Sequence, residues 1–455
     1  MKSIRIAAGL GFYGDAWEPI RAAIERGGAD YVCSDHLAEL TLAILQKDRA
    51  RDPAAGYARD FVPMLAALWP AAATRGVRFV ASAGGLNPRG ARAALVALFR
   101  ARGWRARIAV VEGDALLERI DALREAGEAL AHMDSGAPIE PIRDRLLFAN
   151  AYLGARPIAE ALARGADIVI TGRVADAALF LGPMLHEFSW RVDDWNRLAQ
   201  GVTVGHLLEC SGQGAGGNFG SAGVWQRIPD LAHIGYPIAE VGEDASVVIT
   251  KAPGTGGRIN FHTLRQQLLY EVHDPRRYVT PDVVLDMGTL RLEDLGGDRV
   301  RVSGAGGAPA PEKLKVVAGY ADGWMGHCVT GYCWPDALAK ARAVADTVRN
   351  LLAERRMAHD ALAVEYLGHD AFLGPHADRR GEDEMNEVWL RMAIRTPDKR
   401  VAEAFPRLFP WLALSGPPYM GGFHGMPAAS QLIGLWPSLV RRENVQASID
   451  VAGIE

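Results

Sequence analysis

The sequence predicts an α/β fold: a parallel Rossmann-like sheet with helices on both faces, plus a second α+β domain. Three observations predict it. Short β-type runs alternate with helical segments through the first half of the chain, and those helical segments end on glycine. After about residue 240 the texture changes to strands joined by glycine turns. Residues 1–240 are therefore read as the Rossmann-like domain, and 241–455 as an α+β domain with hairpins and a long helix near 334–356.

The expected strands are IRIAAG (4–9), DYVCSD (30–35), VRFVASAGG (77–85), RIAVVEGD (107–114), RLLFANAY (145–152) and DIVITG (167–172). Segments such as PIRAAIERG, ARAALVALFRARG and PIAEALARG lie between them, apolar at helical spacing. Strands separated by helices of that length pair in parallel, because each crossover needs that much chain. Residues 19–39 also echo 157–176, with Pro19 matching Pro157, Asp30 matching Asp167 and Glu39 matching Asp176. Two readings stand: any helix–Gly–Ala-Asp–strand unit looks alike, or the sheet has two related halves. Beyond 240, ASVVITKAPGTGGRINF and VVLDMGTLRLEDLGGDRVRVSGA predict hairpins, and PEKLKVVAGYADGWMGHCVTGY adds strand. WPDALAKARAVADTVRNLLAERR, residues 334–356, predicts a helix with Asp336 near its start and basic residues at its end.

Composition narrows the class. The 455 residues suffice for two or three domains, and 49% hydrophobic with 23% charged residues is ordinary for a globular protein. A formal charge of −4 gives no electrostatic footprint for nucleic acid or an acidic membrane. Cys33, Cys210, Cys328 and Cys333 are scattered, which predicts a reducing, cytoplasmic setting. The N-terminal apolar run is too short for a signal peptide, and no window predicts a membrane span.

The stretch GLGFYGD contains G-x-G-x-x-G at Gly9, Gly11 and Gly14, and Asp35 ends the next strand near the spacing of a ribose-binding carboxylate. Two features oppose a dinucleotide loop. Pro19 marks the first helical turn, which leaves Gly14 too early for the motif. Asp15 puts a negative charge where pyrophosphate would dock. An NAD(P)-dependent oxidoreductase stays as an alternative on the glycines alone.

The strand-end loops of a parallel sheet share one edge, so their carboxylates are the first candidates for acid/base work. Asp15, Asp35 and Glu39 are read as catalytic, with Asp114 as substrate-binding, against the plainer reading that Asp35 and Asp114 cap turns. Gly11, Asn87, Asn150 and Arg173 also sit at strand ends as substrate-binding candidates. Arg173 has a salt bridge to Asp176 as its equal alternative. In GHLLECSGQGAGGNF, helical spacing sets His206 against Glu209 and Cys210. Glu209 is the preferred catalytic residue there, and Asn218 follows as a ligand contact. In ITKAPGTGGRI, Lys251 is read as catalytic, and Gly254, Thr255 and Gly256 as an anion nest or a plain hairpin turn. His327, Cys328 and Cys333 make a weak zinc signal, and no metal or cofactor is assigned.

Taken together, GLGFYGD, DYVCSDHLAELTLAI, RDPAAGYARDF, SAGGLNP, VEGDAL, IVITGRVADAALFLGP, GHLLECSGQGAGGNF, ITKAPGTGGRI, LLYEVHDPRRYVTPDVV and SGPPYMGGFHG resemble the acyclic terpene utilisation (AtuA-type) family over nearly the whole chain. The resemblance implies an enzyme of branched or acyclic terpenoid or related carboxylic acid catabolism. Its substrate would be a small-molecule carboxylate or an acyl-CoA, handled by hydratase- or lyase-type acid/base chemistry. Some relatives carry a further small C-terminal domain, for which this chain has no obvious room. The role of that domain is therefore expected to be either absent or supplied by a small partner chain, and a non-catalytic subunit of a degradation complex is the other alternative. The aromatics of 405–437 point to a homo-oligomer.

Overall fold

In the computed structural model, which describes residues 2–220 and 223–454, the strand–helix alternation of the first half is realised almost run for run. The order is β1 (Ser3–Ala8), α1 (Glu18–Glu25), β2 (Tyr31–Ser34), α2 (Glu39–Arg51), α3 (Phe61–Arg75), β3 (Arg78–Ala81), α4 (Pro88–Arg102), β4 (Ala106–Glu112), α5 (Ile120–Glu125), β5 (Leu146–Ala151), α6 (Arg156–Ala163) and β6 (Ile168–Thr171). Then come α7 (Ala178–Phe188), α8 (Trp195–Leu208), β7 (Pro237–Gly242), β8 (Val247–Lys251) and α9 (Phe261–Leu269). The strands β9 (Tyr278–Val279), β10 (Val284–Asp286), β11 (Arg291–Asp294), β12 (Val300–Ser303) and β13 (Gly306–Ala308) follow.

Local chemistry sets the helix ends. Pro19 and Pro157 open α1 and α6, where a missing N–H costs nothing. The side chain of Asn87 caps α4, and Gly76 and Gly103 close α3 and α4 in the left-handed conformation. Strands β2 and β6 are buried at every position, as their unbroken apolar runs require of a parallel sheet covered on both sides.

Nine of these strands form a sheet of mixed parallel and antiparallel pairing in the order β11-β12-β8-β7-β1-β2-β3-β6-β4, extended past β4 by the final strand Ser448–Ile454, while β13, β10 and β9 form a small sheet of their own. The five central strands β1, β2, β3, β6 and β4 run parallel. Antiparallel pairing begins where β7 meets β1 and where the final strand meets β4. Helices α1, α3 and α4 pack among themselves, as do α6, α7 and α8.

Three expectations are corrected. The central order 1-2-3-6-4 differs from the 3-2-1-4-5-6 order of dinucleotide-binding sheets. The run RLLFANAY does form β5, but β5 pairs outside the parallel sheet with the strand that starts at Lys313. The boundary expected at residue 240 falls inside β7, because β7, β8, β11 and β12 continue the same sheet. By compactness the chain divides instead into Met1–Gly319 with Leu435–Glu455, and Tyr320–Gly434.

The smaller unit has its own core. The strand β14 (Lys313–Cys333) ends in it, followed by α10 (Ala337–Glu354), β15 (Ala361–Leu367), β16 (Glu387–Thr396) and β17 (Met420–Phe423). The helix expected over 334–356 is α10. The sheet order is β15-β16-β14-β17, and Cys328, Tyr332, Leu338, Ala341, Val344 and Leu390 are buried together. This burial, with Cys333 exposed, is why the two cysteines do not face one another as a metal pair.

The internal echo has a geometric counterpart. Asp30 accepts the backbone N–H of Arg5 at 2.7 Å, and Asp167 accepts that of Arg107 at 2.7 Å. Each aspartate thus ties the start of its strand to the neighbouring parallel strand at the same place. Gly9, the first glycine of GLGFYGD, serves the same packing. A Cβ there would lie 1.9 Å from Ser34 Oγ and 2.9 Å from the Cys33 carbonyl oxygen. Gly9→Ala is therefore expected to lower stability by about 1–3 kcal/mol in urea unfolding. An unchanged midpoint would contradict this account of the glycine.

Candidate active site

Parallel pairing brings the C-terminal ends of the five central strands to one edge. Asp35 follows β2, Ser82 follows β3, Asp114 follows β4 and Arg173 follows β6. A cleft of ≈1770 Å³ lies in the larger unit, and its wall includes Gly11, Asp15, Asp35, Glu39, Arg173, Glu209, Asn218, Gly254 and Thr255. Nine of the expected residues thus share one cavity, and five do not.

Arg173 is the organising group. Its side chain is 2% exposed, and it donates to Asp176 and to the Leu37 carbonyl oxygen. Its guanidinium also lies over the Tyr152 ring, 4.2 Å from the centroid. Burial works against its charge, but Asp176, Tyr152, Asp35 and Glu39 outweigh that and hold the group charged. The salt bridge to Asp176 is thus present, and Arg173 also lines the cleft.

Asp35, 6% exposed, accepts from Ser82 Oγ at 2.6 Å and from the Leu37 N–H at 3.0 Å, both on Oδ1. Burial, reinforced by the Asp176 charge, pushes its carboxyl well above the usual range, with Arg173 and the two donors in opposition. Glu39 behaves oppositely. Burial alone would raise it, but the Lys315 ammonium at 2.9 Å and the Tyr152 hydroxyl pull it down to about 2. Tyr152 and Lys315 escape the sequence reading. Tyr152 ends the same FANAY stretch that offered Asn150, whereas Lys315 stands in a distant strand with no local signal.

Glu209 caps the C-terminus of α8, and its Oε1 lies 2.8 Å from Nδ1 of the fully buried His206, as the helical spacing predicts. Burial is what raises the Glu209 carboxyl, and Asp176 adds to it while His206 opposes. Against its own burial, the facing carboxylate raises His206. The two groups thus share one short hydrogen bond inside the fold. Gly11 makes room for this segment, since a Cβ there would lie 3.0 Å from the Glu209 carbonyl oxygen.

The remaining candidates have structural work. Asp15 lines the cleft, but its carboxylate already accepts from the N–H groups of Gly11 and Ala16 and from Tyr236 Oη. Gly14 donates its N–H to Asp60 at 2.7 Å. These contacts occupy the donors that a pyrophosphate would need, so the loop is not a dinucleotide cradle. Lys251 lies outside the cleft wall, bonded to the Thr255 carbonyl oxygen at 2.8 Å and to Asp298 at 3.2 Å. It closes its own turn instead of facing a ligand, and Gly256 is packed on the backbone of Asp230. Asn87 is a helix cap whose amide also holds the Ala54 and Ala55 carbonyls. Asp114 and Asn150 lie behind the cleft: Asp114 accepts from Asn150 Nδ2 and from the Arg173 N–H, each at 2.7 Å. Among the described residues no group of three or more His, Cys, Asp or Glu side chains is placed to hold a metal ion. No helix among them is long and apolar enough to cross a membrane.

Comparison with known proteins fits this picture. Residues 4–451 match the family model described as acyclic terpene utilisation family protein AtuA, and the chain belongs to that family. Membership points to a role in acyclic terpene utilisation. Searches of curated proteins and of solved structures each returned no match.

Asp114 gives the site a measurable signature. Burial raises its carboxyl to about 6, against the pull of its two donors. A raised carboxyl is easier to ionise in the unfolded chain, so its contribution to stability falls as pH rises from the unfolded value to about 6. The stability of the wild type relative to Asp114→Asn should therefore decline over that window, by up to about 3 kcal/mol, in pH-dependent denaturation. A difference independent of pH would contradict it.

Proposed function

We propose, from this family membership and the cleft, that the protein is an acid/base enzyme of the hydratase or lyase type. Its substrate is a branched carboxylic acid, free or CoA-linked. The observation that carries the reading is the opposed state of neighbouring carboxyls: Asp35 is pushed up while Glu39 is pulled down around the same buried guanidinium. Environments that drive carboxyl pKa values apart are how one site holds an acid and a base at once. In this reading Asp35 supplies a proton, and Glu209, backed by His206, removes one. Arg173 steadies the negative charge that develops on the substrate oxygen.

Two further features support a large substrate with a hydrocarbon body. The cleft, at ≈1770 Å³, exceeds the roughly 300–1,000 Å³ of common small-ligand pockets. Its wall also includes Phe12, Met133, Leu231, Val279 and Leu439, apolar side chains that remain 38–55% exposed.

The test is turnover of a panel of branched unsaturated and hydroxylated acids, free and as CoA thioesters, followed by mass spectrometry in deuterated water. At least one member is expected to gain or lose water or to be cleaved. Asp35→Asn should slow that reaction by about 100-fold or more. A panel left untouched, or an Asp35→Asn variant at full rate, would remove the proposal.

A further inference from the structure

We infer that Tyr278 is a further ligand-binding residue of this cleft, and that its hydroxyl donates to a neutral oxygen: the carbonyl of a thioester-linked acid in preference to a free carboxylate. The inference rests on the acid/base reading above and chooses between the free and the CoA-linked acid that this reading allows.

The ring is held from two sides. Tyr278 opens β9 and pairs with Leu285 of β10. Its ring packs against that of the fully buried His206, with 5.3 Å between centroids. Tyr278 is thereby set beside the His206–Glu209 pair, and it lines the cleft. Three other tyrosines share that wall. Tyr152 donates to Glu39, Tyr236 donates to Asp15 at 2.8 Å, and Tyr270 is 39% exposed.

The Tyr278 hydroxyl differs from those of Tyr152 and Tyr236. Among the described residues it has no hydrogen-bond partner, and it keeps accessible surface although the residue is half-buried. Burial, and after it the charges of Glu209, Asp176 and Glu271, raise this phenol well above its usual range. All three carboxyl groups belong to the cleft wall, so the hydroxyl stands among groups that face the cavity. It keeps its proton across the neutral range and has one O–H to offer a ligand.

The surrounding charge decides what can accept from that hydroxyl. An oxygen bonded to it lies about 2.5–3.0 Å away and meets the same three carboxyl groups. No cation stands among the strongest influences on the hydroxyl, so nothing of comparable weight offsets them. A carboxylate oxygen would be repelled there, whereas the neutral carbonyl of a thioester would not. The hydroxyl thus favours the linked acid over the free one.

Titration calorimetry of the full chain with two probes, 3-methylbutanoate and its N-acetylcysteamine thioester, tests this. The wild type should bind the thioester about fivefold or more tightly than the free acid. Tyr278→Phe keeps the ring against His206 and removes only the hydroxyl. It should weaken the thioester about fivefold or more, and the free acid by less than about twofold. Its urea midpoint should match that of the wild type, because the hydroxyl bonds no described residue. Full thioester affinity in Tyr278→Phe, a lowered midpoint, or a wild type that binds the free acid as tightly as the thioester would overturn the inference and leave the acid/base reading standing. Binding of neither probe would remove the carboxylic acid reading and this inference with it.

Discussion

A guanidinium that is 2% exposed must be neutralised where it lies, and that requirement on Arg173 shapes the whole strand-end edge of the larger unit. An unpaired charge at such depth costs several kcal/mol, more than most single contacts in a fold return. The chain meets the requirement with groups from four separate stretches: Asp176 from the same loop, Asp35 and the Leu37 carbonyl from the loop after β2, Glu39 from the start of α2, and Tyr152 from the end of β5. Each of these is therefore placed by the cation as much as by its own backbone. Asp114 completes the arrangement from behind, since it grips the Arg173 N–H and the Asn150 amide together.

Similar carboxyls come to differ through burial and through the partners each has. Arg173, which also pairs with Asp176, opposes the rise of Asp35, but burial dominates it. Glu39 has Lys315 and a tyrosine hydroxyl to itself, and their pull exceeds the cost of burial. The acid form and the base form are therefore set by who shares a partner. Glu209 solves the problem separately, with the fully buried His206.

Much of this was legible in the sequence, for an identifiable reason. Asp35, Arg173 and Glu209 stand at the ends of strongly patterned elements, and parallel strands deliver their ends to one edge whatever the strand order. The errors fall where a local signal has two meanings. Asn87 before Pro88 caps a helix, Lys251 closes a turn, and the glycines of GLGFYGD permit close backbone packing; each motif suits a ligand equally well when read alone. Lys315 was out of reach because the ion pair it makes with Glu39 spans 276 residues, and no local pattern reports a contact of that range. The run that became β5 was recognised as a strand, but its partner is set by tertiary packing.

The central claim is that burial holds the Asp35 carboxyl well above the ordinary range beside a Glu39 that Lys315 and Tyr152 keep ionised. Side-chain carboxyl ¹³C NMR across a pH titration tests it most directly, with Asp35→Asn and Glu39→Gln spectra to assign the two signals. The account predicts that Asp35 titrates well above the ordinary carboxylate range, while Glu39 stays ionised down to about 2. Two carboxyls that titrate together near their ordinary values would contradict it.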